Sequence, residues 1–68
     1  MTLPEIRFVK YLVETANWLA DSKRLDVRDW DAFRVIVFQN VQPELFANLK
    51  DKQIERCLRA AFAEVNRT

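Results

Sequence analysis

The chain has 68 residues, of which 50% are hydrophobic and 31% are charged, and its formal net charge is +1. These values are typical of one folded globular domain over residues 1–68 and argue against a disordered chain. No apolar run approaches the roughly 18 residues that a membrane span needs, and charged residues interrupt the N-terminal segment. We therefore expect no membrane association, no signal peptide and a cytoplasmic location.

The residue types that are missing restrict the chemistry further. The sequence contains no histidine and no glycine, and it has one cysteine, Cys57, and one serine, Ser22. Without histidine, the commonest general base and the commonest zinc ligand are absent. Without glycine, phosphate-binding loops and dinucleotide-binding fingerprints are excluded. We predict a protein that is not an enzyme, with no catalytic residues, metal site, cofactor or small-molecule substrate.

The first predicted element is an amphipathic helix over residues 3–21. Thr2 and Glu5 fit a capping box at its start, and Pro4 is tolerated in a first turn. Polar residues recur every three or four positions on one side. The opposite side collects the apolar residues Phe8, Val9, Leu12, Val13, Ala16, Leu19 and Ala20. This pattern predicts a helix with one face in a core.

The second predicted helix runs from about Val27 to Asn40 or Val41, with Asp26 as its N-cap. Residues 33–38 are rich in β-branched and aromatic side chains, so a strand is the alternative for this segment. We favour the helix, because a lone strand would have no partner in this chain.

Two further helices complete the predicted fold. Pro43 ends the second helix and opens a short one that reaches about residue 49. The last helix is predicted over residues 52–66, with Asp51 as its cap, because its apolar residues recur at helical spacing. In a chain without glycine, Asn40 and Asn48 are the expected left-handed stop residues. The predicted fold is all-α, a compact bundle of three main helices and one short helix.

Aromatic residues at the border of the first helix indicate a docking surface. Tyr11 and Trp18 are seven residues apart, which places them on one side of a helix. In the second helix, Phe33 and Ile36 extend the apolar surface, and Arg34 within it could meet a carboxylate on a partner. The alternative is that the aromatic residues cap the core and that Arg34 keeps its charged head in water. Our leading hypothesis is a small binding or regulatory module that associates with a protein partner or with itself.

Nucleic-acid binding is the alternative hypothesis, and it depends on the last helix. Residues 50–68 hold five basic and three acidic side chains. A short helix, a turn and a basic helix also follow the order of a helix-turn-helix. The residues predicted to contact nucleic acid are Lys52, Gln53, Arg56, Arg59 and Arg67. Against this, the net charge of the whole chain is low, and Glu55 and Glu64 could neutralise part of a merely solvated face.

Overall fold

The computed structural model describes residues 1–67. Three α-helices and one short 3-10 helix follow one another: α1 (Leu3–Asp21), α2 (Trp30–Gln39), the 3-10 helix (Pro43–Leu45) and α3 (Asp51–Val65). No strand occurs in residues 1–67. The predicted all-α bundle of three main helices and one short helix is therefore confirmed.

Helix α1 has the predicted bounds, and its start is closed by the predicted capping box. The Thr2 backbone N–H donates to Oε1 of Glu5 at 3.1 Å, and the Glu5 N–H donates to Oγ1 of Thr2 at 3.4 Å. This exchange satisfies two backbone donors that have no partner within the helix. The helix buries one stripe of residues: Glu5, Phe8, Leu12, Ala16 and Leu19.

Each α-helix ends at a polar side chain that bonds back to the carbonyl four residues earlier. The donor and acceptor pairs are Ser22 to Trp18 at 2.8 Å, Asn40 to Ile36 at 2.8 Å and Asn66 to Phe62 at 2.9 Å. These bonds satisfy carbonyls that would otherwise lack a partner at a helix end. The expectation of left-handed stops at Asn40 and Asn48 is wrong: Asn40 has φ −102°, and Asn48 has no positive φ.

The left-handed residue lies instead just after α1. Lys23 has φ 60° and is the only residue with a positive φ in residues 1–67. Its N–H donates to the Ala20 carbonyl at 3.0 Å, and the Arg24 N–H donates to the Leu19 carbonyl at 2.9 Å. These two bonds form a Schellman motif, in which glycine is the usual residue at the position that Lys23 occupies.

Helix α2 begins three residues later than predicted. Asp29, not Asp26, is its N-cap, and Oδ1 of Asp29 accepts the N–H of Ala32 at 3.2 Å. Asp26 closes a separate turn by accepting the N–H of Arg28 at 3.0 Å. Two aspartates spaced three apart can each close a turn, and only the second is followed by continuous helix. Residues 33–38 are helical, so the strand alternative is excluded.

The segment between α2 and α3 is less regular than predicted. The expected helix to residue 49 is a 3-10 helix over Pro43–Leu45 followed by turns. The N–H of Phe46 bonds to the Pro43 carbonyl at 3.2 Å, and the N–H of Leu49 bonds to the Phe46 carbonyl at 3.0 Å. Each of these bonds spans three residues, which is the tighter 3-10 pattern.

Helix α3 begins one residue earlier than predicted. Asp51 is its first residue, and Lys50 occupies the cap position. The Lys50 N–H donates to Oε1 of Gln53 at 2.8 Å, so a glutamine side chain closes this end. Asp51 still places a negative charge in the first turn, where the helix dipole favours it.

Aromatic rings connect the helices across the core. Phe33 is fully buried, and its ring centroid lies 6.4 Å from that of Trp30 and 5.2 Å from that of Phe62. The start of α2 therefore packs against the end of α3. At the other end of the core, Phe46 lies between Phe8 and Phe38, with centroid distances of 5.8 and 4.6 Å. The segment 41–49 consequently covers the core between α1 and α2.

The strained position after α1 gives a direct test of how this helix ends. Lys23→Gly is expected to raise the free energy of unfolding by about 0.5–1 kcal/mol, because glycine adopts a positive φ without a Cβ clash. The same change at an exposed position inside α1, Lys10→Gly, is expected to lower it by about 1 kcal/mol. Urea unfolding of the parent and both variants measures the two effects. Changes of the same sign would contradict the left-handed assignment.

Candidate binding surfaces

Tyr11 and Trp18 lie on the solvent side of α1. They are 44% and 53% exposed, respectively, so neither belongs to the core. Seven residues are close to two helical turns, which places both rings on the same side of the helix. We call this the aromatic face of α1. An exposed pair of large rings on one helix side is a common feature of protein interfaces.

Tyr11 lies between two shallow clefts that α1 forms with the segment 40–49. Tyr11 and Leu45 line both clefts, so the clefts are contiguous. The first cleft has apolar walls from Phe8, Leu45 and Leu49 and two opposite charges, Arg7 and Glu44. The second is lined, besides Tyr11, by Glu14, Thr15, Asn40, Val41, Gln42 and Leu45.

Trp18 is held by an arginine from the turn after α1. The guanidinium carbon of Arg24 lies 4.5 Å from the centroid of the Trp18 ring. A cation over an indole ring is attracted by the negative face of the π-system. Because Arg24 follows the left-handed residue Lys23, the turn geometry positions this contact. Arg24 thus restrains the aromatic face at its Trp18 end.

The predicted interface residues of α2 do not lie together. Phe33 is 0% exposed and contacts only its own core, so its assignment to an interface is wrong. The apolar pattern of α2 is broad because both α1 and α3 pack against this helix. Ile36 is half-buried. Arg34 is exposed, and its closest acid is Asp31 at 3.9 Å on the same helix.

The four predicted cations, three on α3 and Arg67 just after it, are exposed, but most of them have acidic partners. Lys52, Arg56, Arg59 and Arg67 are all exposed. Three ion pairs form: Arg56 with Glu5 at 3.6 Å, Arg59 with Glu55 at 3.3 Å, and Arg67 with Glu64. Arg59 also lies over the Trp30 ring, 4.7 Å from its centroid. Among the predicted cations, Lys52 alone forms no ion pair within residues 1–67.

Gln53 was predicted to contact nucleic acid, and its side chain has a structural role. Its Oε1 accepts the N–H of Lys50 and closes the start of α3. The side chain is half-buried. A base contact by its amide would compete with this bond.

Glu5 is a buried carboxylate, which its place in a capping box does not reveal. The residue is 2% exposed, and Oε2 has no hydrogen-bond donor among residues 1–67. Arg56 of α3 is the cation that faces this oxygen. A signal was present in the sequence, because Glu5 falls in register with Phe8, Leu12 and Ala16 on the apolar stripe. The paired cation on a distant helix could not be read from that register.

The surroundings of Glu5 favour its charged form. Hydrogen bonds from the backbone and hydroxyl of Thr2 lower the pKa of the Glu5 carboxyl, and Arg56 and the Gln53 amide add to this effect. Burial raises the pKa of the carboxyl, but by less than the bonds from Thr2 lower it. The carboxylate therefore remains ionised near neutral pH and ties the start of α1 to α3.

Cys57 lies beside this carboxylate and is buried. Its thiol donates to the Glu5 backbone carbonyl at 3.7 Å. Burial raises the pKa of the Cys57 thiol, and the Glu5 charge raises it further, while Arg56 opposes the shift. A buried thiol with a raised pKa is a poor nucleophile. Cys57 therefore acts as a small core residue.

Neither a metal site nor a membrane-spanning helix is found in the described part of the chain. Residues 1–67 contain no group of three or more cysteine, aspartate or glutamate residues placed to hold a metal ion. None of the helices in this range combines the length and apolar character needed to cross a bilayer. Comparison of the chain with protein families, curated proteins and solved structures finds no match.

The lowered pKa of Glu5 predicts an acid-sensitive contribution to stability. A carboxyl whose pKa is lower in the folded than in the unfolded chain stabilises the fold above the unfolded pKa of about 4.3, and this contribution is lost as the pH falls through the folded value. Glu5→Gln keeps the capping geometry and removes the charge. We expect the variant to be less stable than the parent at neutral pH, with the difference shrinking towards about pH 3.

Urea midpoints measured across this pH range test the prediction. Glu14→Gln, at an exposed site of the same helix, is the matched control and should show a smaller pH-dependent difference. A difference between Glu5→Gln and the parent that does not change with pH would contradict the proposed role of the charge.

Proposed function

We propose that this chain is a small non-enzymatic binding module that acts through protein–protein association, with the aromatic face of α1 as its docking surface. The observation that carries the proposal is the position of Tyr11 between two contiguous clefts, with Trp18 exposed on the same side of the helix. A partner that inserts an apolar side chain beside Tyr11 would bury apolar area and leave the fold unchanged.

The arrangement of Trp18 supports the same surface. Its indole is half exposed, and Arg24 restrains it. A ring that is already restrained loses less conformational entropy on binding. Tryptophan, tyrosine and arginine are also the residues most often found at energetic hot spots of interfaces.

A non-enzymatic role is supported by the contacts of Ser22 and Cys57, whose hydroxyl and thiol are the conventional nucleophiles of the chain. The hydroxyl of Ser22, the only serine, donates to the Trp18 carbonyl at the end of α1. The thiol of Cys57 is buried against Glu5. Neither has a histidine that could act as a base, because the chain has none.

The aromatic face is tested by a paired substitution. Tyr11→Ala combined with Trp18→Ala is expected to abolish association with a protein partner, because it removes both rings, while alanine preserves the helix. The matched control is Leu3→Ala combined with Ile6→Ala, which removes equally exposed apolar side chains from another side of α1. Quantitative mass spectrometry identifies the proteins that bind to the parent and to the control but not to the aromatic variant. Their binding is then measured with purified components.

Folding of each variant is checked by circular dichroism and by the protection of Cys57 against a thiol reagent. If the aromatic variant loses this protection, Tyr11 and Trp18 contribute to the core and the proposal is wrong. The proposal also fails if no purified partner distinguishes the aromatic variant from the control.

Nucleic-acid binding is the second candidate, favoured by the exposure of three cations on α3 and of Arg67 just after it. Fluorescence anisotropy with DNA and RNA, in duplex and single-stranded form, should reveal binding that weakens steeply between about 50 and 200 mM salt. Arg56→Glu is unsuitable as a test, because it would leave the buried Glu5 facing a like charge. Lys52→Gln and Arg67→Gln avoid this, and each should reduce the salt slope by about 1. Absence of binding at low salt would eliminate this candidate.

A further inference from the structure

A further apolar depression, which includes no residue of α1, lies between α2 and α3. Its volume is about 340 Å³, and it is lined by side chains of both helices. The half-buried Phe38 and Ile54 and the buried Leu58 provide apolar surface. Val35 lies at its border and is 44% exposed, which makes it one of the most exposed large apolar residues of the chain. We call this depression the α2–α3 groove.

The two sides of the groove carry opposite charges. Arg34 lies on the α2 side, and Asp51 and Glu55 lie on the α3 side. Arg34 is held only loosely within its own chain, because Asp31, the acid with which it pairs, is 3.9 Å away and 88% exposed. An exposed pair of this kind contributes little to stability, so Arg34 can exchange its partner at small cost.

We infer that the α2–α3 groove binds a second copy of this chain across a two-fold axis. In a two-fold dimer the same patch meets itself, so each feature must face its complement on the other copy. The α2–α3 groove meets this requirement, because it has a positive side, a negative side and an apolar centre. Arg34 of each copy then faces Glu55 and Asp51 of the other, and Val35 of each copy enters the groove of the other.

Charge complementarity selects a second copy over other occupants. A basic or an acidic peptide would satisfy one side of the groove and be repelled by the other. A purely apolar segment would bring no charge to meet Arg34, Asp51 or Glu55 across the groove. A second copy, turned by the two-fold axis, presents a negative side to Arg34 and a positive side to Asp51 and Glu55. This inference rests on the proposed function, association with protein, but uses a different surface from the aromatic face.

The groove is small, so the dimer should be weak. Interfaces well below about 1,200 Å² of total buried area are typical of transient complexes. Dissociation constants in the micromolar to millimolar range are therefore expected. Sedimentation equilibrium from about 10 µM to about 1 mM covers this range.

A charge exchange between copies tests the geometry. Arg34→Glu and Glu55→Arg should each weaken homodimerisation by at least about tenfold, because like charges then face each other. An equimolar mixture of the two variants should dimerise with a constant within about threefold of that of the parent, since both facing charge pairs are restored in the mixed dimer. Lys52→Glu changes the net charge as much as Arg34→Glu but lies outside the groove, and it should have no effect.

Each remaining outcome overturns the inference. A parent that stays monomeric over the whole range excludes the dimer, and so does a mixture that fails to restore it. Dimerisation that resists both reversals but disappears in the Tyr11→Ala, Trp18→Ala variant places self-association on the aromatic face, so the proposed function stands and this inference fails.

Should a charge variant lose the protection of Cys57, Val35→Asn replaces it as the test, since it removes the exposed apolar contact without altering charge.

Discussion

The packing of this small bundle depends on one buried carboxylate. Glu5 accepts the backbone and hydroxyl donors of Thr2 at the start of α1, faces Arg56 of α3, and its backbone carbonyl accepts the thiol of Cys57. One residue therefore closes a helix and fixes its position against another. Because the charge lies on the stripe that faces the core, α1 and α3 cannot slide past each other without separating Glu5 from its cation. Burial of a charge limits the register of these helices in a way that apolar contacts alone would not.

The absence of glycine imposes a second constraint, which concerns the helix ends. Most helices can stop at a residue in the left-handed region, and glycine adopts that conformation at least cost. In this chain Ser22, Asn40 and Asn66 supply side-chain donors to the last carbonyls instead, and only Lys23 adopts the left-handed conformation within residues 1–67. The turn that Lys23 creates also places Arg24 on Trp18. The turn after α1 thereby shapes the aromatic face, which is proposed to bind other proteins.

The sequence predicted local features well and long-range features poorly. The bounds of α1 followed from its capping box and its helical period, both of which depend on residues a few positions apart. The start of α2 was misplaced because Asp26 and Asp29 both close turns, and the choice between them depends on the residues that follow. The broad apolar pattern predicts Phe33 at an interface, because it does not reveal which neighbours cover the residue. In the fold, Trp30 and Phe62 pack against Phe33. The pairing of Glu5 with Arg56 and the groove between α2 and α3 likewise depend on packing between distant segments.

The Asn66 side chain has a consequence for synthesis of the chain. Its amide donates to the Val27 carbonyl at 2.8 Å as well as to Phe62, so it joins the α1–α2 connection to the last turn of α3. At the start of the chain, Glu5 meets its cation only through α3. Both links close over long sequence separations, and a nascent chain on the ribosome has neither until α3 has emerged. Folding of the bundle is thus deferred until α3 has been made, and α1, which is made before α3, waits with an unpaired carboxylate on its apolar side.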